Sequence, residues 1–508
     1  MLLEMVAEGD PDRICVGSSG GLSSSALLSA ARRAAVLFEK DGAEAVGYFG
    51  LNSDVLPVAL FGAALAGAAF APLNYRAPDE QLASILPRVP PGPILADAAE
   101  VARLRAAGIE AGRIVTLDEF ASSVLGGDDG DAGDAGDAGE ESVEHPFVDP
   151  ESVAVFLFTS GTTSEPKAAV LRHRHLVSYI ISSVEFLGCG ADEAQLVCVP
   201  PYHIAGIAAI LSSLYSGRRI MYLPTFDAAE WVRVATSERI THAMVVPTML
   251  GRILQAVEDA GAEPPALRHL SYGGGRMPLE LVERTLRDLP HVDLVNAYGL
   301  TETSSTIALL GPDDHREAFA GDDPAVRARL ASVGRPLPGV ELSIRGADGD
   351  PLDPGERGEI WVRGEQVSGE YLGRGEGLDD GWFHTRDAGH LDEAGFLFVH
   401  GRLDDVIVRG GENLSPGEIE TVLIEHPSVE AAAVVGIPDT EWGERVVAAV
   451  VPVEGAVVGE DDLRDFVRAR LRSTRTPERI EIRSELPFNE TGKLLRRVLR
   501  DELEATFG

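Results

Sequence analysis

The stretch from Val153 to Lys167, VAVFLFTSGTTSEPK, places a loop of hydroxyl side chains directly after an apolar run. The apolar half has the composition of a buried strand. In the loop, consecutive hydroxyls and backbone N–H groups surround a glycine, and Lys167 follows, which is the chemistry of a flexible polyphosphate cradle. A Walker A pattern, GxxxxGK[ST], occurs nowhere in the chain. The stretch therefore predicts a strand that ends in a phosphate-binding loop of another kind.

Apolar runs and helix-compatible segments alternate on both sides of this stretch. Before it, helix-like segments occupy residues 24–40, 56–68 and 80–86, with apolar runs at 45–50 and 69–73. The apolar runs in and after the stretch are 153–159, 195–199, 219–223, 242–246 and 294–297. Alternation of this kind predicts an α/β domain with a largely parallel sheet.

The pattern changes twice towards the C-terminus. From residue 340, short alternating runs (VELSIRG, GEIWVRG, GFLFVHG) predict an antiparallel β region. Beyond Gly401, a helix over 416–425, strands AAAVVG and VVAAVVP, a helix over 461–471 and a closing helix from Leu494 predict a small α+β domain. We therefore divide the chain into residues 1–402, with stacked, mostly parallel sheets, helices and a small β subdomain, and residues 403–508.

Composition excludes several classes of protein. A chain of 508 residues is too long for one hydrophobic core. Its formal net charge of -37 repels phosphate backbones and anionic membranes, so no nucleic acid partner is predicted. The three cysteines, Cys15, Cys189 and Cys198, suit neither a disulfide framework nor a zinc site. Because the N-terminus is acidic and residues 55–72 favour a buried helix over a membrane span, we expect a cytoplasmic protein.

Residues 126–144, GGDDGDAGDAGDAGEESVE, contain glycine, alanine and acidic residues with no basic residue. Such a segment buries too little apolar area to offset the entropy of ordering it. Its Gly-Asp-Ala repetition lacks the glutamate-terminated loop of an EF-hand. We predict a disordered acidic surface loop inside the N-terminal domain.

A second motif, Asn296-Ala-Tyr-Gly-Leu-Thr-Glu-Thr303, lies just beyond a predicted strand, where open α/β sheets bind ligands. It combines an aromatic ring, a glycine, a hydroxyl and a carboxylate. Glu302 is a reasonable magnesium ligand. A turn with a helix N-cap at Thr301 explains the same residues without a ligand.

Three further motifs follow along the chain. They are TRDAG over residues 385–389, GRLDD over 401–405 followed by VIVRGGENLSPGEIE, and PFNETGK over 487–493. A carboxylate such as Asp387 can accept both hydroxyls of a ribose, an arginine can contact ribose or phosphate, and a lysine on a glycine loop can reach an oxyanion. Taken singly, each is also explained by charges of a solvated loop.

Together, and in this order, the five motifs resemble the family of adenylate-forming enzymes, which includes acyl-CoA synthetases, nonribosomal peptide adenylation domains and firefly luciferase. The resemblance covers nearly the whole chain after the N-terminal helices, and aryl-CoA and medium-chain acyl-CoA ligases look most similar. It implies that ATP and Mg²⁺ activate a small carboxylic acid as acyl-AMP, and that coenzyme A then takes the acyl group as a thioester. It is also compatible with a homodimer.

The resemblance assigns nucleotide binding to residues Thr159, Ser160, Gly161, Thr162, Thr163, Lys167, Gly273, Gly274, Gly275, Asn296, Tyr298, Gly299, Thr301, Asp387 and Arg402. Within this set the phosphate loop would wrap the β- and γ-phosphates, while Asp387 and Arg402 would hold the ribose. Thr159 and Glu302 would place magnesium. Lys493 would bridge the substrate carboxylate and the α-phosphate during in-line displacement of pyrophosphate.

For the second half-reaction, the resemblance implies that the C-terminal domain rotates about a hinge at Asp404. The rotation would withdraw Lys493 and present Gly410 and Gly411 to coenzyme A. His203, in PPYHIAG, matches a position that lines the acyl pocket and gates the thiol channel. A satisfied interior histidine is the alternative.

The candidate acyl pocket is mixed and rather small. Its predicted lining residues are Tyr202, His203, Val246, Pro247, Thr248, Ser271, Tyr272, Gly273, Ala297, Gly299, Ser304 and Thr306. No carboxylate stands where it would bind an amino group. This absence disfavours α-amino acids and favours an aryl or short-to-medium acyl acid.

Three positions depart from the family pattern. Ser164, Ala168 and Arg386 stand where the family often has glycine, and their side chains are expected to stiffen the backbone or change nucleotide affinity. Activity is still expected, because the hydroxyl ladder, Lys167 and Asp387 are intact.

Other functions remain open at this point. A carrier protein or an amine can replace coenzyme A as acceptor, and a non-catalytic scaffold can keep the fold. Residues 17–21, GSSGG, fit the GxSxG pattern of a serine hydrolase with Ser19 as nucleophile. A glycine-rich hairpin turn explains that pattern better, since it precedes any sheet that could carry a nucleophile elbow.

Overall fold

The structure is a computed structural model, and it describes residues 1–126, 148–159, 167–261, 263–373, 375–453, 455–488 and 494–508. The acidic loop predicted over residues 126–144 lies outside the described residues except for Gly126.

The strands of the described residues are short in the N-terminal two thirds and longest near the C-terminus. In chain order they are β1 (Ile14–Val16), β2 (Leu22–Ser23), β3 (Ala45–Phe49), β4 (Ala69–Pro72), β5 (Ile94–Ala96), β6 (Ile114–Thr116), β7 (Val153–Thr159), β8 (Lys167–Arg172), β9 (Ala194–Val197), β10 (Arg219–Tyr222), β11 (His242–Val245), β12 (His269–Gly273), β13 (Asp293–Leu300), β14 (Ser305–Leu310), β15 (Arg335–Pro336), β16 (Val340–Arg345), β17 (Gly358–Gly364), β18 (Glu370–Tyr371), β19 (Gly375–Glu376), β20 (Leu378–Asp379), β21 (Trp382–Leu391), β22 (Leu397–Arg402), β23 (Ile407–Arg409), β24 (Glu412–Leu414), β25 (Val429–Asp439), β26 (Gly443–Pro452) and β27 (Arg479–Ile482).

Helices follow most of the parallel strands. In chain order they are α1 (Leu2–Gly9), α2 (Ser24–Lys40), α3 (Leu56–Leu65), α4 (Asp79–Ile85), α5 (Val101–Ala106), α6 (Leu117–Leu125), α7 (His173–Ser183), α8 (Ile204–Ser216), α9 (Ala228–Ser237), α10 (Pro247–Ala260), α11 (Leu279–Asp288), α12 (Pro312–Ala320), α13 (Pro324–Ala328), α14 (Pro416–Ile424), α15 (Glu460–Arg468) and α16 (Arg496–Phe507).

Two large sheets form the N-terminal part, and both are mostly parallel. One has the strand order β15-β14-β13-β12-β11-β9-β10-β1-β2, and the other has the order β19-β18-β8-β7-β4-β3-β5-β6. Helices α2, α3 and α8 contribute to one hydrophobic cluster with strands of both sheets. The predicted α/β fold with stacked, largely parallel sheets is confirmed.

Two smaller sheets complete the molecule. The third contains β16, β17, β20, β21 and β22, and all its pairings are antiparallel, as predicted. The fourth contains β23 to β27, all beyond Arg402. Among the described residues, the last strand of the third sheet ends at Arg402 and the first strand of the fourth begins at Ile407. The division of the chain between residues 402 and 403 stays a prediction.

Local signals in the sequence account for several helix ends. Helix α2 begins after Ser23, whose hydroxyl accepts a hydrogen bond from the N–H of Ala26 at 3.2 Å. Helix α8 ends at Gly217 in the left-handed conformation. The last helix begins at Arg496 and not at Leu494, because Leu494 forms a backbone bridge with Phe488.

The GSSGG segment joins β1 to β2, which pair in antiparallel fashion. Ser19 is exposed in this turn. The interpretation as a hairpin turn is confirmed, and the segment is not the strand-turn-helix elbow of a serine hydrolase. None of the described helices has the length and apolar character needed to cross a membrane.

Candidate active site

Four neighbouring parallel strands end at one edge of the first sheet. Strands β9, β11, β12 and β13 lie side by side, and Gly273 at the end of β12 pairs with Ala297 on β13. A Cβ atom on Gly273 would lie 2.4 Å from the carbonyl oxygen of Ala297, so only glycine fits there. Open α/β sheets bind ligands outside the carboxyl ends of their strands, which makes this edge the candidate site.

The base of the predicted phosphate loop is a β-hairpin. Thr159, the last residue of β7, pairs with Lys167, the first residue of β8. Ser160, Gly161, Thr162 and Thr163 lie outside the described residues. A strand follows the loop here, whereas a Walker A loop opens a helix, so the exclusion of a P-loop is confirmed.

Asp387, Arg402 and Tyr298 form a connected cluster. Asp387 on β21 stands directly opposite Arg402 on β22, and the Arg402 Nε lies 3.0 Å from the Asp387 Oδ1. The hydroxyl of Tyr298, from the first sheet, donates to the Asp387 Oδ2 at 2.6 Å. The cluster therefore joins the first and third sheets at one carboxylate.

A β-bulge directs Asp387 into this cluster. Between β17 and β21 the register shifts at Ile360, and the hydroxyl of Thr385 donates to the Ile360 carbonyl at 2.7 Å. Bulges of this kind re-aim a side chain beside active sites. Burial raises the pKa of Tyr298, and the Asp387 charge raises it further. Burial lowers the pKa of Arg402, but Asp387 together with Tyr298, Glu302 and Asp405 outweighs this effect, so the pKa rises and the charge persists.

Glu302 lies in the short turn between β13 and β14, at the junction with β18. Its Oε1 accepts a hydrogen bond from the Tyr371 hydroxyl at 2.5 Å, and its backbone carbonyl accepts one from the Ser368 N–H at 2.8 Å. A single carboxylate fits Mg²⁺, which usually binds one or two carboxylates and completes its shell with phosphates and water. The predicted metal role of Glu302 is thus compatible with its surroundings.

Arg386 occupies the position where the family often has glycine, and its backbone φ is 62°. Its guanidinium lies 3.2 Å from the carboxylate of Asp404, the predicted hinge residue, and both side chains are exposed. The positive φ explains the family preference for glycine at this position. Arg386 therefore replaces the family's glycine at a position of left-handed backbone conformation beside the predicted hinge.

We expect Arg386→Gly to leave the free energy of unfolding unchanged or to raise it by up to about 1 kcal/mol. Glycine adopts a positive φ without strain, whereas other residues incur about 1 kcal/mol. The lost ion pair is exposed and contributes at most about 1 kcal/mol. Urea unfolding beside the wild type measures the difference. A loss of more than about 1 kcal/mol would show that the pair with Asp404 is unusually strong.

His203 and Tyr202 precede α8. The His203 Nδ1 accepts a hydrogen bond from the N–H of Ala205 at 3.2 Å, so this imidazole caps the helix. The Tyr202 ring packs edge-on against Tyr75 at 5.6 Å between centroids. The alternative weighed from the sequence was a satisfied interior histidine, and the acyl-pocket assignment of His203 stays a prediction.

Two predicted pocket side chains, those of Tyr272 and Ser304, are buried, and their assignment to the acyl pocket stays a prediction. The Tyr272 ring is buried, and its hydroxyl lies 2.8 Å from the Nε2 of His315. Alternation along β12 explains this, since Ser271 and Gly273 face one side and Tyr272 faces the other. Ser304 is fully buried with φ of 56°, and its hydroxyl donates to the Gln366 carbonyl at 2.9 Å.

The other predicted residues at the sheet edge have varied surroundings. The Asn296 Nδ2 donates a hydrogen bond to the Ser332 carbonyl at 2.9 Å. One N–H of this side-chain amide is therefore already hydrogen-bonded within the protein. Val246 is buried, Thr306 is half-buried and Thr248 is exposed. Gly274, Gly275 and Gly299 are exposed, and Ala297 and Thr301 are half-buried, at the same end of β12 and β13.

The C-terminal candidates occupy two turns. Gly410 and Gly411 have φ of 57° and 82° in the exposed turn between β23 and β24, and the Gly410 N–H donates to the Trp442 carbonyl at 2.8 Å. Lys493 lies outside the described residues. Its loop is closed where Phe488 pairs with Leu494.

Sequence reasoning missed Tyr371 and Gln366. The Gln366 Nε2 donates to the carbonyls of Thr303 and Thr306 at 2.9 and 2.8 Å, which fixes the turn after Glu302. Both residues follow the predicted strand GEIWVRG, in a segment without a catalytic pattern. Their contacts to residues more than 50 positions away give no local signal.

Comparison with known proteins gives matches along nearly the whole chain. Residues 3–372 match the family described as AMP-binding enzyme, and residues 418–493 match the AMP-binding enzyme C-terminal domain. A feruloyl-CoA synthase from Amycolatopsis sp is 33% identical over 477 residues, which cover 91% of this chain and 89% of that protein.

Solved structures match with similar coverage. The o-succinylbenzoate CoA synthetase MenE from Bacillus subtilis, in complex with its acyl-adenylate intermediate, is 28% identical with a TM-score of 0.82 and 98% coverage of both chains. That synthetase is also solved with ATP and a magnesium ion. The amide bond synthetase McbA from Marinactinospora thermotolerans is 27% identical, with a TM-score of 0.84 and 99% coverage of both chains.

Proposed function

The chain belongs to the AMP-binding enzyme family, and from this membership we propose that it activates a carboxylic acid with ATP as an acyl-adenylate and then transfers the acyl group to coenzyme A. The observation that carries the proposal is the convergence on Asp387. Arg402 and Tyr298, from two different sheets, hold this carboxylate beside the strand ends that carry Gly273 and Gly299. A carboxylate held at that place can accept hydrogen bonds from the two hydroxyls of a ribose.

We propose the following roles for the remaining residues. The loop from Thr159 to Lys167 binds the β- and γ-phosphates, and Glu302 with Thr159 holds Mg²⁺. The metal would supply charge neutralisation on the transferring phosphate oxygens. Lys493 stabilises the negative charge that develops as the substrate carboxylate attacks the α-phosphorus. The chemistry is then mainly positioning and electrostatics.

Coenzyme A is the preferred acceptor because feruloyl-CoA synthase and MenE, both named for CoA thioester formation, resemble the chain over most of its length. An amine is the second candidate, since the amide bond synthetase McbA has a comparable likeness. A carrier protein remains a prediction from sequence. Preformed acyl-AMP can be incubated with coenzyme A, a simple amine or a carrier protein. The thioester or amide that forms identifies which of the three is the acceptor.

The acid is proposed to be aryl or short-to-medium acyl. Ser271, Gly273 and Ala297 at the sheet edge are small, and the predicted pocket residues include no acidic side chain. An α-amino acid would leave its ammonium without a partner there. The homodimer and the cytoplasmic location remain predictions from sequence.

The lysines of the chain allow a direct test of nucleotide binding. Lys40, Lys167 and Lys493 are the only lysines, although lysine and arginine together number 44. Two of the three stand in the proposed site, and Lys40 is exposed at the end of α2. Each lysine therefore reports on its own location after mild amine acetylation and peptide mass spectrometry.

We expect MgATP to slow acetylation of Lys167 roughly tenfold when the MgATP concentration is about ten times its Kd. The bound phosphate would contact the Lys167 ammonium and keep the reagent from it. Lys40 should react at the same rate with and without nucleotide. Uniform reactivity of Lys167 and Lys40 at every MgATP concentration would contradict the proposed nucleotide site.

A further inference from the structure

Tyr371 lies between two groups that the proposed function uses. Its hydroxyl donates to the Glu302 Oε1 at 2.5 Å, while the Lys167 Nζ lies 5.5 Å from the centroid of its ring. The first contact fixes one carboxylate oxygen and leaves the second oxygen for other partners. The second contact lies within the range of a cation–π attraction.

The backbone around Tyr371 is tied to the strand that leaves the phosphate loop. Tyr371 pairs with Ala169 on β8, and the Leu372 N–H donates to the Ala168 carbonyl at 2.9 Å. Arg172 and Glu370 form a two-pronged ion pair at 3.0 and 2.9 Å. Backbone pairing with β8 therefore fixes the position of Tyr371.

The same segment is tied to the Glu302 turn. The N–H groups of Ser368 and Gly369 donate to the Glu302 carbonyl at 2.8 and 3.3 Å. Gln366 holds the following turn, in which Ser304 and Ser305 have φ of 56° and 109°. Two consecutive residues in that strained region persist only where surrounding contacts hold them. The segment over residues 366–372 thus links the Glu302 turn to β8, the strand that begins at Lys167.

We infer that Tyr371 is a positioning residue that orients the Glu302 carboxylate for Mg²⁺ and holds it at a fixed distance from Lys167. The inference rests on the proposed function, because it assigns the geometry of the same metal and phosphate groups. Without the hydroxyl, the Glu302 carboxylate rotates among several conformers and binds the metal less well. The ring and the β8 pairing would keep their places.

The test compares Tyr371→Phe with the wild type in calorimetric titrations of ATP at a series of Mg²⁺ concentrations. We expect the variant to need about tenfold more Mg²⁺ for half-maximal ATP affinity, the usual scale for partners that orient a metal-ligating group. Its melting temperature should stay near that of the wild type, as should that of the control Tyr179→Phe on α7. The control should keep the Mg²⁺ dependence of the wild type.

A double-mutant cycle with Glu302→Gln separates positioning from general structural support. In the Glu302→Gln background, Tyr371→Phe should change the Mg²⁺ dependence less than twofold. An unchanged Mg²⁺ dependence in Tyr371→Phe alone, or an equal effect in both backgrounds, would overturn the inference. If the wild type binds no ATP, or if Glu302→Gln keeps the wild-type Mg²⁺ dependence, the proposed roles fail and the inference falls with them.

Discussion

The Lys493→Ala variant is expected to lose the adenylation half-reaction and to keep the thioester-forming one. The proposed role of this lysine is to stabilise charge that exists only while the carboxylate attacks the α-phosphorus. Removal of one preorganised charge donor of this kind raises the barrier by about 2–4 kcal/mol, which is roughly a 30- to 900-fold slower step. ATP–pyrophosphate exchange measures this step.

Thioester formation from preformed acyl-AMP should continue in the same variant, because the proposed domain rotation withdraws Lys493 before coenzyme A reacts. Lys40→Ala is the matched control, since it removes an exposed lysine at the end of α2. Equal losses in both half-reactions would argue that Lys493 supports folding and not one chemical step.

The second large effect is expected for Asp387→Asn. Loss of the carboxylate charge weakens the proposed bonds to the ribose and leaves Arg402 without its ionic partner. We expect a 10- to 100-fold weaker ATP affinity, about 1.4–2.8 kcal/mol. The free energy of unfolding should fall by about 1–3 kcal/mol, because a largely buried charged group loses its partner. Calorimetry and urea unfolding measure the two quantities.

Tripolyphosphate provides the contrast for this variant, because it contacts the proposed phosphate loop without a ribose. Its affinity should be the same in the wild type and Asp387→Asn. Asp380→Asn is the control, since Asp380 is exposed with φ of 46°, a conformation that asparagine tolerates. Equal losses of ATP and tripolyphosphate affinity would show that Asp387 supports the overall stability of the protein and does not bind the ribose.

Sequence reasoning succeeded where the signal was local. Helix α2 was predicted over residues 24–40 and is observed at these bounds, where Ser23 caps it and small apolar residues recur on one face. The antiparallel β region was predicted from three alternating runs, but its longest strand, β21, escaped. Its sequence, WFHTRDAGHL, contains histidine, arginine and aspartate among few apolar residues. Sheet context determines this strand, and no short window contains that context.

The sequence predicted which residues belong to the candidate site, but it did not predict the contacts between them. Asp387 and Arg402 were both assigned to the ribose, but their direct pairing depends on the register of β21 against β22. Tyr371 reaches Glu302 across 69 residues of sequence. Contacts at such distances depend on how the sheets meet. The side of the sheet that Tyr272 faces, by contrast, follows from the sequence, because alternation along β12 assigns it to the opposite face from Gly273.

All of the proposed roles require that these segments together activate a carboxylic acid with ATP. The most direct measurement is acid-dependent ATP–pyrophosphate exchange by the purified protein over a panel of aryl, short-to-medium acyl and amino acids. We expect exchange with at least one aryl or acyl member of the panel and none in the absence of acid. No exchange with any acid, together with no measurable ATP binding, would rule out the proposed activity.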